Sequence, residues 1–265
     1  MADEQATAPD PEADRALGKM SFMEHLGELR TRIMWSLVAA GVGIVIALFI
    51  TDPVMRFISR PLAGMKTDLV FTSPTEAFWT WMKIAMVLGI FISMPGILYQ
   101  VWKFVAPGLH EHEKKYAAPF IISGSLLFLL GGAFALLVII PYASTFLVTF
   151  GQEKGWKPML TVSSYTDFVI KFTLAFGIVF QLPVVIMILS LIGVVTPQFL
   201  SKNRKYAILV NFIIAAILTP TPDMINQTLM AGPLCILYEV GIICARIATR
   251  RRRKMAPPTE PASAA

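Results

Sequence analysis

Tyr99-Gln100-Val101-Trp102-Lys103-Phe104-Val105-Ala106-Pro107-Gly108-Leu109, followed by His110-Glu111-His112-Glu113-Lys114-Lys115, is a polar island between two apolar runs. Each run is long enough to cross a bilayer, so the island is a surface turn joining two buried rods. Aromatic side chains favour the membrane–water boundary because their rings are apolar and their edges polar, which places Trp102 and Phe104 there. Pro107-Gly108 stops a helix leaving the bilayer. Beyond it, Glu111 and Glu113 stand on a face otherwise rich in Lys and Arg. A carboxylate kept on a basic face points to a cationic partner.

Working outward, the composition agrees. Of 265 residues, 55% are hydrophobic and 15% charged, with mean hydropathy +0.65. Soluble domains carry roughly 25% charged residues, so the chain reads as an integral membrane protein. The net charge of +6 does not point to nucleic acid, because the basic residues cluster beside the apolar runs, where they set topology. Cys235 and Cys244 lie nine helical residues apart, roughly 13 Å, too far for a disulfide. Residues 1–20 are polar and acidic, with Pro9 and Pro11, and read as a disordered tail rather than a signal or transit peptide.

Ser21-Phe22-Met23-Glu24 fits a capping box, and Phe22, Leu26, Leu29 and Ile33 recur at helical spacing. A short amphipathic interfacial helix is therefore expected to lead into span one, 33–50. Spans two to six are expected at 77–101, 117–140, 168–192, 206–219 and 229–248. They form an all-α membrane domain over 21–250, followed by a tail at 251–265. Six spans put both termini on one side. That side carries 16 of the 23 Lys and Arg, the opposite loops five, and Lys83 and Lys171 lie within spans. Both termini are therefore expected in the cytoplasm. Span five, 14 residues and about 21 Å long, is shorter than the roughly 30 Å of hydrocarbon. The outer loops, 51–76 and 142–167, exceed hairpin length and are expected to form ordered caps.

Polar residues inside apolar runs mark function or interhelical bonding. Gln181-Leu182-Pro183 interrupts span four, and Gln181 must meet protein or water. An interhelical hydrogen bond and a partner site both account for it. Glu239 in span six is costly, and its partner is not legible. Asn211 and Gln227 add polarity to spans five and six, while Pro95, Pro119, Pro141 and Pro233 mark kinks or ends. On the first helix Glu28 and Arg32 have the spacing of a helix-supporting pair. Alternatively, Glu24 and Glu28 join Glu111 and Glu113 in an acidic patch. Guanidinium suits such a patch better than ammonium, because its planar fork bonds a carboxylate bidentately. His110, His112 and His25 offer no metal-binding pattern, and there is neither a P-loop nor a nucleophile elbow. No cofactor, metal or catalytic set is expected.

Several blocks carry a family resemblance. His25-Leu26-Gly27-Glu28-Leu29-Arg30 resembles the HLxELR signature of TatC, the multispanning receptor subunit of the twin-arginine protein translocase. Ser59-Arg60-Pro61-Leu62, the 99–109 island, Glu113-Lys114-Lys115, the run 176–184 and the run 218–228 are similar to its later blocks in order, covering about residues 20–248. The resemblance implies a curved, glove-like wall of six helices in the bacterial inner membrane. Its cytoplasmic face would bind twin-arginine signal peptides through Glu28, Arg30, Phe104 and Glu113, with Glu113 the main carboxylate. It further implies a translocation role for Pro61 and docking of TatA and TatB along spans five and six, near Thr219 and Gln227. Self-association in the receptor complex and export of folded proteins on the proton-motive force are also implied. Some members carry a glutamate where this chain has Gln181, and a neutral amide bonds but does not titrate. The competing class, a secondary transporter coupled through Glu239, is opposed by the absence of inverted repeats and by the acidic patch lying outside the membrane.

Overall fold

The first apolar run and everything preceding it back to Pro11 form one helix, α1 (Pro11–Leu48). In this computed structural model the backbone is described for residues 11–60, 69–106, 117–218 and 224–255. Side chains are described for these residues except 11–22, 225–226 and 251–255. The helix passes through Ser21–Glu24 without a start, so the capping box does not act as one. It also extends into the segment read as a disordered tail. Proline is tolerated in a first helical turn, and Glu12, Ala13, Arg15, Ala16 and Leu17 behind Pro11 are good helix formers.

The order continues with α2 (Thr51–Ile58), β1 (Leu69–Val70), α3 (Pro74–Val105) and α4 (Ala117–Phe134). A π-helical turn (Ala135–Ile139) joins α4 to α5 (Ile140–Glu153). Then come β2 (Leu160–Thr161), α6 (Val162–Val179), α7 (Leu182–Leu191), α8 (Pro197–Lys202), α9 (Arg204–Leu218) and α10 (Met224–Met255). Among the described residues, five helical stretches are long and apolar enough to cross a membrane: 23–48, 74–105, 117–153, 162–191 and 227–250. The remaining expected span is α9, whose 15 residues reach about 22 Å.

That shortfall has a structural answer. Tyr238 Oη donates to the Leu200 carbonyl (2.9 Å), Arg204 bonds Glu239, Asn211 Nδ2 lies 3.6 Å from Cys235 Sγ, and Gln227 Nε2 donates to the Phe212 carbonyl (3.2 Å). As residue numbers rise from 204 through 211 to 212, their partners on α10 fall from 239 through 235 to 227. Helices α8 and α9 are therefore one rod antiparallel to α10, bent at Asn203. Together they reach about 33 Å, with Lys202, Arg204 and Lys205 at the bend.

Prolines mark the other irregularities. Pro95 and Pro233 sit inside helices, and Pro119 in the first turn of α4, where a missing N–H costs nothing. Pro141 follows the π turn, which accommodates the ring as the helix continues. Pro183 opens α7, separated from α6 by Phe180 and Gln181.

Two ends of the bundle differ. At one, β1 pairs in parallel with β2, Leu69 opposite Leu160 and Val70 opposite Thr161. Glu76 accepts from Thr72 N (2.7 Å), Thr72 Oγ1 (2.9 Å) and Ser163 N (2.9 Å). Trp81 Nε1 donates to Asp52 (2.8 Å), Tyr165 Oη to the Ile58 carbonyl (3.0 Å), and Lys83 pairs with Asp167 at 2.7 Å. The described parts of the loops 51–76 and 142–167 form the ordered cap expected of them; residues 61–68 lie outside the described residues. At the opposite, terminal end, α1 meets the end of α3, and the start of α4 meets the ends of α7 and α10. Beneath both lies an apolar core that includes Phe172, Phe176, Ile84, Ile139 and Met230.

Candidate functional site

The terminal end is built on the close approach of α1 and α3. A Cβ at Gly43 would run into the Gly89 carbonyl, and one at Gly89 into Ile44; one at Gly96 would sit 3.3 Å from Ala39 Cβ. Small residues thus let the two backbones touch, as membrane helices do when neighbouring side chains give no hydrophobic gain over lipid. Eleven residues beyond the Gly43–Gly89 contact on each helix lie Arg32 and Gln100, which this register puts at one level.

Near that level the polar side chains converge. Arg32 Nη2 donates to Glu28 Oε1 at 2.9 Å, with both side chains half-buried, so the helix-supporting pair is made. Arg32 Nε and Gln100 Oε1 are buried and have no protein partner. One donor and one acceptor are therefore left with bonding capacity between α1 and α3, a costly state for buried groups. Further out, the His25 ring stacks on Phe104, centroids 4.5 Å apart and planes 20° apart. Glu24 lies one turn before Glu28 on the same face and is exposed. The cluster presents a carboxylate and a stacked aromatic face, with the buried Gln100 oxygen behind them, groups of the kind that bind guanidinium.

The expected members divide. Glu28 and Phe104 come together here. Arg30 does not: it is exposed and lines a shallow groove with Gly27, Thr31, Met34, Trp35 and Val38 on the other side of α1. Two positions from Glu28 is about 200° around a helix, so the pair could not share a face. Trp102 is not a boundary anchor either. It is 4% exposed and packs on Phe120 at 5.0 Å between centroids. Glu111, Glu113, Pro61 and Thr219 lie outside the described residues. Sequence reasoning missed Gln100 and the role of His25. The signal was present, since 25 and 104 both fall in the quoted blocks, but which helix faces which is not written in either.

The intramembrane polar residues find partners. Gln181 Nε2 donates to the Gly124 carbonyl of α4 at 2.8 Å, while its Oε1 is buried and without a protein partner. Of the two readings left open, the interhelical bond is made. Glu239 is gripped bidentately by Arg204, Nε to Oε1 at 2.8 Å and Nη2 to Oε2 at 2.9 Å, and both side chains are 47% exposed. It is therefore not an isolated side chain, and the bend at Asn203 is what brings its partner.

Comparison with known proteins adds the following. Residues 24–233 match the family model for the Sec-independent protein translocase protein TatC. The protein translocase TatC of Koribacter versatilis is 41% identical over 249 residues, covering 91% of each chain. That of Carboxydothermus hydrogenoformans is 45% identical over 227 residues, covering 86% of this chain and 93% of its own. The crystal structure of a twin arginine translocase receptor, TatC, superposes with a TM-score of 0.71 at 40% identity, covering 85% of this chain and 100% of that one.

Proposed function

This chain belongs to the TatC family, a multi-pass membrane component of protein transport rather than an enzyme, and from that premise we propose that its terminal end is the cytoplasmic receptor for twin-arginine signal peptides. The supporting observation is the cluster of Glu28, Gln100, Phe104 and His25. Gln100 Oε1 there lacks a protein partner, and the His25–Phe104 stack offers a flat aromatic face. One arginine of the motif bonds Glu28 and Gln100 against Phe104. The second is met by Glu113. Arg30 contributes on the far side of α1, towards acidic or lipid groups flanking the motif, rather than inside the cluster.

The concentration of Lys and Arg at this end supports a cytoplasmic location, with both termini inside and the protein in the bacterial inner membrane. The apolar stretch of the signal peptide lies against the helices, and Pro61 takes part in translocation. The α8–α9 rod and α10, with Thr219, Gln227 and Glu239, form the edge for TatA and TatB. These partners, together with self-association in the receptor complex, serve export of folded proteins on the proton-motive force. Gln181 holds α6–α7 to α4 by a neutral hydrogen bond and takes no part in proton transfer. Pull-down of twin-arginine against twin-lysine peptides by the purified protein tests the reading. Retention of the arginine form alone is expected, and equal retention of both rejects it.

A further inference from the structure

At the terminal end a second polar feature lies away from the α1–α3 cluster. It is a cleft of about 340 Å³ between α8 and the end of α10, lined by Pro197, Gln198, Ser201, Arg246, Thr249 and Arg250. Arg246 and Arg250 stand four residues apart on one face of α10, so both guanidinium groups open into the cleft. Arg246 Nη2 donates to Ser201 Oγ at 2.8 Å, a neutral partner. The lining contains no carboxylate, and among the described residues neither arginine has an ion pair. The nearby cation Arg204 is already neutralised by Glu239. Two uncompensated guanidiniums beside hydroxyl and amide donors make a site for an anion with several oxygens.

The surroundings identify its source. The same helix exposes Ile236, Ile243 and Ile247, 66%, 52% and 51% accessible, so α10 meets lipid along this flank. The cleft begins two turns beyond the Arg204–Glu239 pair, where the apolar stripe ends. That is headgroup depth, and basic pockets between transmembrane helices at this depth take anionic headgroups. We propose that the cleft between α8 and α10 binds the phosphate headgroup of an anionic phospholipid, whose acyl chains lie along Ile243 and Ile236. The bend at Asn203 sets the α8 wall of the site.

The test is native mass spectrometry of the purified full chain titrated with dioleoylphosphatidylglycerol, with dioleoylphosphatidylcholine and inorganic phosphate as separate arms. Phosphatidylglycerol is expected to bind more tightly than phosphatidylcholine. In Arg246→Gln/Arg250→Gln that binding should weaken about 30-fold, each arginine near an anionic lipid contributing roughly fivefold. Arg250→Gln alone, which removes no described hydrogen bond, should weaken it about fivefold and serves if the double variant does not fold. Unchanged phosphatidylglycerol affinity in either variant overturns the proposal. So does full competition by inorganic phosphate, which would make the cleft a soluble-anion site. Lys154→Gln/Lys157→Gln, at the capped end, should leave binding as it was; an equal loss there would reduce the effect to net charge and also overturn it.

Discussion

The capped end and the terminal end differ in which polar groups they leave without a partner. At the capped end the side chains that bridge elements are answered: Glu76 takes three donors, Lys83 has Asp167, the Trp81 indole N–H has Asp52, and the two short strands pair, while the hydroxyls of Thr80 and Thr166 are buried there without a protein partner. At the terminal end Gln100 Oε1 and Arg32 Nε are buried without partners, and Arg246 and Arg250 have no carboxylate. A polar group buried without a partner costs stability unless a ligand completes it. The capped end is therefore braced through its charged groups and leaves only hydroxyls open, whereas the terminal end leaves open a guanidinium N–H and an amide oxygen.

That contrast is breakable, beginning with the strongest effect. Gly89→Val drives a side chain into Ile44 and separates α1 from α3, and overpacking at backbone contact costs about 1–3 kcal/mol or more. The expected outcome is loss of the monodisperse folded protein on size-exclusion chromatography; a normal elution profile would mean that the two helices do not need this contact. Next, Glu113→Ala should abolish cross-linking of a twin-arginine peptide while the protein still inserts. Persistence of the cross-link would move the main carboxylate elsewhere.

Phe104→Ala removes the stacked face and should weaken peptide binding about fivefold to tenfold, with unfolding in detergent little changed. A large fall in stability with normal binding would make Phe104 a brace like those at the other end. Glu76→Gln should do the reverse, since an amide has one acceptor oxygen where the carboxylate uses two. The thermal midpoint falls and peptide affinity holds, and a binding defect would show that the two ends are coupled. The smallest effect is expected from Glu239→Gln. The pair lies on α10, away from the peptide cluster, so peptide binding should barely move, while the thermal midpoint falls slightly as Arg204 loses its carboxylate. Loss of a solute flux in that variant would instead revive the transporter reading.

Much of this was legible in the chain. Alternation of apolar runs with basic turns gives the rods and their order, and the signature blocks place Glu28 and Phe104. Less legible were the features made by two helices meeting. Arg30 reads as a neighbour of Glu28 in the block but falls on the far side of the helix. Trp102 reads as a boundary anchor and is a core residue against Phe120. Span five reads as too short because Asn203 and the flanking cations hide that α8 belongs to the same rod.

By itself the sequence determined an all-α membrane protein, because hydrocarbon forces every backbone polar group into helical bonds, and the lengths of the apolar runs count five of its rods. It also determined the residue types at the basic end. Only the tertiary structure decided that Arg204 answers Glu239, that Gln181 bonds Gly124, and that Gln100 comes level with Arg32 beside the His25–Phe104 stack. Each of these joins residues distant in the chain. Their pairing depends on which helix faces which and at what register, and small residues such as Gly43 and Gly89 set that through contact rather than through any pattern readable along one helix.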